Sequence, residues 1–160
     1  MRLALLACAI ALNSTAALAG GTHSGGHGQV AMTVGEAGKA TEVNRTIEIA
    51  MVEKDDGSMV FEPASLSVKE GETIKFVVKN AGEIEHEFVL DHHEKMMEHK
   101  ALMEKFPEME HDDPNAIRLA EKGDGEVIWK FTSAGEFEFG CLVPGHYEAG
   151  MKGAITVAAH

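Results

Sequence analysis

The stretch Gly135-Glu136-Phe137-Glu138-Phe139-Gly140-Cys141-Leu142-Val143-Pro144-Gly145-His146-Tyr147-Glu148-Ala149-Gly150-Met151 decides how this chain folds. Its first half alternates with the period of a β-strand, because successive side chains on a strand point to opposite faces. Phe137, Phe139 and Cys141 share one parity and Glu136 and Glu138 the other, so Cys141 projects into an apolar interior at the strand's end. Pro144-Gly145 and Gly150 then fold the chain back tightly and carry His146 and Met151 round to the same point. One loop thus gathers a thiolate, an imidazole and a thioether.

Outward from this stretch, period-two alternation recurs. Ile47, Ile49 and Met51 alternate with polar neighbours, as do Ile74, Phe76 and Val78, and the runs 86–90, 126–132 and 153–157 behave similarly between Gly, Asn, Asp and Pro punctuation. The pattern predicts an all-β fold, an antiparallel Greek-key β-sandwich. One insertion, 91–123, breaks the period. Asp91 has the chemistry to cap a helix running to about Phe106, and Asp113-Pro114 that of the start of a second short helix ending at Gly123. No internal repeat is present.

Thiolate sulfur, imidazole nitrogen and a weaker thioether form a donor set that tolerates copper as both Cu(II) and Cu(I). Such a site still lacks one imidazole. His86 is the best candidate, since it begins a strand after Asn80-Ala81-Gly82 and shares parity with the inward-pointing Phe88 and Leu90, 55 residues before Cys141. At these residues the chain resembles the cupredoxins, the family that includes plastocyanin, auracyanin and rusticyanin. The matching features are the first His after a Gly-containing turn and the final Cys-x4-His-x4-Met loop with Pro144-Gly145-His146, and the resemblance covers about 43–159. It implies a type 1 site for one copper ion, with nitrogen donated by His86 and His146, the thiolate by Cys141 and an axial thioether by Met151. One departure stands out: the residue after the first His, often Asn or Ser in that family, is Glu87 here. A carboxylate near the thiolate leaves the potential and colour of the site open.

The N-terminus carries Met1-Arg2, an apolar run from Leu3 to Leu12 and the small-residue site Ala17-Leu18-Ala19, which reads as a cleaved signal peptide over 1–19. Export to the periplasm follows. The apolar run before Cys8 is too short for a lipoprotein signal, and with the leader gone Cys141 is the one remaining cysteine of the two in the chain. A lone thiol in an oxidising compartment is reactive, intermolecular or held by a metal. The Gly-, Ala-, Ser- and Thr-rich segment 20–42 reads as a flexible tail, and 43–160 as the folded domain. Nothing later is long and apolar enough for a membrane span. Across 160 residues the net charge is −12, with 26 acidic residues, which argues against nucleic acid and anionic membranes as partners. A monomer is expected, with a redox protein as a possible partner.

His92, His93, Met96, Met97, His99, Met103, Met109 and His111 crowd into the insertion. On a helix, His92, Met96, His99 and Met103 form one stripe, which suits a second Cu(I) site. The competing reading makes Met96, Met103 and Phe106 an apolar face over the sandwich. His23 and His27 read as part of the solvated tail, because cleavage before Gly20 puts His23 fourth rather than third. Two functions compete. The insertion and the long acidic sequence resemble copper-tolerance cupredoxins of the CopI type, and the alternative is a soluble electron carrier. An enzyme is not expected: no His-x-His pair occurs, and one domain cannot build a trinuclear cluster.

Overall fold

The computed structural model describes residues 34–107 and 113–160. Among these residues, ten strands and one α-helix follow one another: β1 (Glu36–Ala37), β2 (Arg45–Glu53), β3 (Met59–Glu62), β4 (Ser65–Lys69), β5 (Thr73–Asn80), β6 (His86–Asp91), α1 (His93–Lys105), β7 (Ala116–Leu119), β8 (Asp124–Lys130), β9 (Gly135–Gly140) and β10 (Lys152–Ala158). They make two five-stranded sheets, ordered β1-β8-β5-β2-β3 and β4-β10-β9-β6-β7. The sandwich expected from the alternation is present. Two of its pairings are parallel rather than antiparallel: β2 with β5, where Ile49 lies opposite Val78, and β4 with β10, where Val68 lies opposite Val157. Parallel neighbours need a crossover between them, and here each crossover passes to the other sheet.

Inward residues of both sheets interdigitate in one core. Ile49, Met51, Ile74, Phe76, Val78, Phe88, Leu90 and Phe139 are all buried, at the parities read from the sequence. Phe61 stands edge-on to Phe139, with ring centroids 5.1 Å apart, and to Phe88 at 6.0 Å. Each such pair contributes about 0.5–1.5 kcal/mol beyond the area it buries. Trp129 closes one side, its indole N–H donating to the Val34 carbonyl at 3.2 Å.

The segment 20–42 is not a tail throughout. Val34 is fully buried and β1 pairs with β8, Glu36 opposite Lys130 and Ala37 opposite Trp129, so the folded unit begins well before residue 43. The weak apolar pattern of this short edge strand hid it. The leader 1–19, His23, His27, Met109 and His111 lie outside the described residues, among which no helix is long and apolar enough to cross a membrane.

In the insertion, α1 forms within a residue of each expected end, although Asp91 stays in β6 and His92 takes the N-cap position. The Asp91 carboxylate accepts the His92 backbone N–H at 2.7 Å. The second expected helix is instead strand β7, which runs antiparallel to β6 with Ile117 opposite Phe88. Without β7, one side of β6 would present unpaired backbone groups at a sheet edge. Asn115 begins this repair by donating its side-chain amide to the Leu90 carbonyl at 2.7 Å while its own carbonyl accepts the Leu90 N–H at 3.0 Å. Asp113 and Pro114 therefore make a turn, closed by the Ala116 N–H on the Asp113 carbonyl, and tertiary pairing overrides their capping chemistry.

Candidate metal centre

The site lies where β6 begins and β9 ends. Because β6 and β9 are antiparallel neighbours in one sheet, with Leu90 opposite Phe139, their backbones hold the strand-borne donors in register. His86 opens β6 and is fully buried; Cys141 follows the last residue of β9 and is fully buried too. The loop after Cys141 is fastened by its own backbone. The Cys141 N–H donates to the Met151 carbonyl at 3.0 Å, the Met151 N–H to the His146 carbonyl at 3.1 Å, and the His146 N–H to the Val143 carbonyl at 3.0 Å. Gly145, at φ 88°, turns through the left-handed region that penalises any Cβ.

Three of the four residues singled out in the sequence thus face one point. His86 Nδ1 lies 3.1 Å from His146 Nδ1, which lies 3.4 Å from Cys141 Sγ, and the three donor atoms all fall within 4.8 Å of one another. One ion with bonds of roughly 2.0–2.3 Å can bridge atoms so spaced. Met151 is fully buried beside them, its backbone bonded to both Cys141 and His146. Among the described residues no other group of three His, Cys, Asp or Glu side chains converges in this way.

The electrostatics suit an ion that displaces a proton. Burial pushes the Cys141 thiol up to about 12; the backbone N–H groups of Glu87 and Val143 pull against that, and the Glu87 carboxylate adds to it. The Glu87 N–H donates to Cys141 Sγ at 3.3 Å. Burial, and then the nearby His86, lower His146 and keep its imidazole neutral, the form that donates a lone pair to a metal. His146 is 9% exposed, and Pro144 and Gly145 beside it are open to solvent, so one edge of the site reaches the surface. Glu87 is itself buried on β6, opposite Arg118 of β7.

Sequence reading missed Glu53. Its carboxylate Oε1 lies 3.2 Å from His86 Nε2 and accepts the backbone N–H groups of Glu83 and Ile84 at 2.7 and 3.1 Å. Burial raises its pKa, but those three bonds outweigh burial and hold it below the usual carboxylate range. Glu53 ends a strand of the other sheet, 33 residues before His86, and no local pattern joins the two.

The histidine and methionine stripe of α1 does not form an open site. Met96 and Met103 are fully buried with Val89, Leu142 and Tyr147, packing the helix over the outer face of β6. His92 packs against Phe137, its ring tilted 52° to the phenyl and the centroids 4.4 Å apart. Phe106, expected in the same apolar face, is instead 58% exposed beyond the helix end.

Known copper proteins resemble the chain in sequence and in fold. Residues 48–158 match the model of copper binding proteins of the plastocyanin/azurin family. The chain is 44% identical over 164 residues to a protein described as copper-resistant cuproprotein CopI of Rubrivivax gelatinosus, with 98% of this chain and 96% of that protein covered. It is 34% identical over 160 residues to a protein of the same description from Pseudomonas aeruginosa, covering 82% and 84%. Among solved structures, reduced auracyanin from Roseiflexus castenholzii superposes with a TM-score of 0.57 at 25% identity, covering 72% of this chain and 98% of that one. With a matched family model spanning most of the sandwich, the chain belongs to the plastocyanin/azurin family of copper-binding proteins.

Proposed function

We propose that the chain is an exported copper-tolerance protein of the periplasm in which His86, Cys141 and His146 would hold one copper ion, with the Met151 thioether as a weaker fourth donor. The convergence of one thiol and two imidazole nitrogens within 4.8 Å carries the ligand assignment. The tolerance role rests on likeness to the two CopI proteins, one matched along nearly its whole length. Bound copper supplies a one-electron Cu(II)/Cu(I) couple. The protein's part is to surrender the Cys141 proton, to present two imidazole nitrogens, and to keep the donors in one arrangement through backbone bonds that do not depend on the ion. A centre that moves little between oxidation states exchanges electrons readily.

A deletion strain should be sensitive to copper, rescued by the wild-type chain and not by Cys141→Ser. The purified Cys141→Ser protein should lack the intense thiolate-to-copper visible band, and a variant that kept it would overturn the ligand assignment. The surface edge at His146, Pro144 and Gly145 favours a second reading, a carrier passing electrons to a redox partner. A respiratory or photosynthetic defect of the same strain at low copper, with normal copper tolerance, would establish that reading instead.

A further inference from the structure

We infer that Glu53 is a positioning residue for the copper centre: its carboxylate fixes the tautomer and orientation of His86 and stabilises Cu(II) over Cu(I). The inference rests on the proposed ligand set. A carboxylate has no proton to give at this contact, so His86 Nε2 carries the hydrogen and donates it to Glu53 Oε1 at 3.2 Å. Nδ1 is left with its lone pair, and it is Nδ1 that faces His146.

The carboxylate is held by a built cradle. Two backbone N–H groups, of Glu83 and Ile84, hold the same oxygen. Asn80, buried at the end of β5, shapes the turn that supplies them: its side-chain oxygen accepts the Gly82 N–H at 2.9 Å and its amide donates to the Ile84 carbonyl at 2.7 Å. A Cβ at Gly82 would collide with Glu53 Oε1 and crowd His86 Nε2, so a larger residue there would push the carboxylate off this contact. The first sheet, through β2, thereby grips a donor that belongs to the second.

A negative charge bonded to the far nitrogen of an imidazole raises the basicity of the near one. It favours the more highly charged ion. Carboxylate partners of metal-bound histidines typically change metal affinity by about 10–100-fold when removed.

Glu53→Gln tests this, because the amide oxygen keeps an acceptor in the cradle while the charge is lost. The ratio of Cu(II) to Cu(I) affinities should fall about tenfold or more, read as a reduction potential higher by about 59 mV or more for this one-electron couple. The visible band and the thermal unfolding of the metal-free protein should persist. A potential unchanged within twofold of that ratio, in a variant that retains the band, would overturn the inference. Cys141→Ser, measured in parallel, separates the two levels: a visible band surviving in it would mean that the ligand set itself is wrong, whereas its loss together with an unmoved potential in Glu53→Gln rejects the role of Glu53 alone.

Discussion

Cys141 shows what burial does to a single side chain. In the unfolded chain its thiol ionises near 9.0, whereas in the fold burial pushes it up to about 12. The folded state therefore favours the protonated thiol. Its contribution to the stability of the metal-free protein is full below pH 9 and is lost as pH rises from 9 to 12, at up to about 1.4 kcal/mol per pH unit. Urea midpoints of the metal-free protein at about pH 8, 9.5 and 11 should fall accordingly. Cys141→Ser should fall less, which isolates the thiol from Tyr147, whose hydroxyl burial and Glu138 also push up to about 12. Metal reverses the sign. On the proposed ligand set Cys141 would surrender its proton when copper binds, so apparent affinity should rise about tenfold per pH unit between about pH 7 and 9, measured by competition with a chelator of known pH dependence. At this scale the sequence was highly legible: strand parity alone put Cys141 in the interior, and the Pro and Gly turns put His146 beside it. Glu53 was illegible, because its partner lies across a sheet-to-sheet connection and hydrogen bonds leave no period in a sequence.

At the scale of elements, α1 and β7 differ in where their cause lies. Helix α1 satisfies its own backbone, so its extent could be read locally to within a residue at each end, although its cap residue could not. Strand β7 exists because the edge of β6 demanded a partner, a requirement written in another segment. The methionines of α1 follow from the same geometry. Every residue of β6 from His86 to Leu90 is buried, Phe88 and Leu90 in the core between the sheets and Val89 on the other face with Met96 and Met103. Met103→Ala should therefore destabilise the protein by about 2–5 kcal/mol in chemical denaturation while leaving the visible band and the Cu(I) stoichiometry intact. A fall in Cu(I) stoichiometry with unchanged stability would restore the stripe as a metal site. The helix is also tied to the metal loop by Lys100 Nζ on Glu148 Oε1 at 2.7 Å. Both glutamate partners of that lysine are largely exposed, so Lys100→Ala should cost no more than about 1 kcal/mol in the same assay.

For the whole molecule, the proposed ligand set would link copper and fold through a site drawn from two distant parts of the chain. His86 comes from the middle of the sequence and Cys141, His146 and Met151 from its last quarter, so on the proposed ligand set the unfolded chain has no comparable site, and binding should add to stability. At free copper about a thousandfold above its dissociation constant the gain is about 4 kcal/mol. Removing copper with a chelator should lower the Tm by about 10 °C or more in calorimetry. The sequence by itself determined the two-sheet class, the burial parity of the long strands and the loop from Cys141 to Met151, because each is set by period and turn chemistry within a few residues. Only the tertiary structure decided that β1 belongs to the fold, that 116–119 is a strand, that the methionines of α1 pack the outer face, and that Glu53 reaches His86. Each of these depends on which backbone edge or buried atom another segment leaves to be satisfied, and that is known only once the sheets have closed on each other.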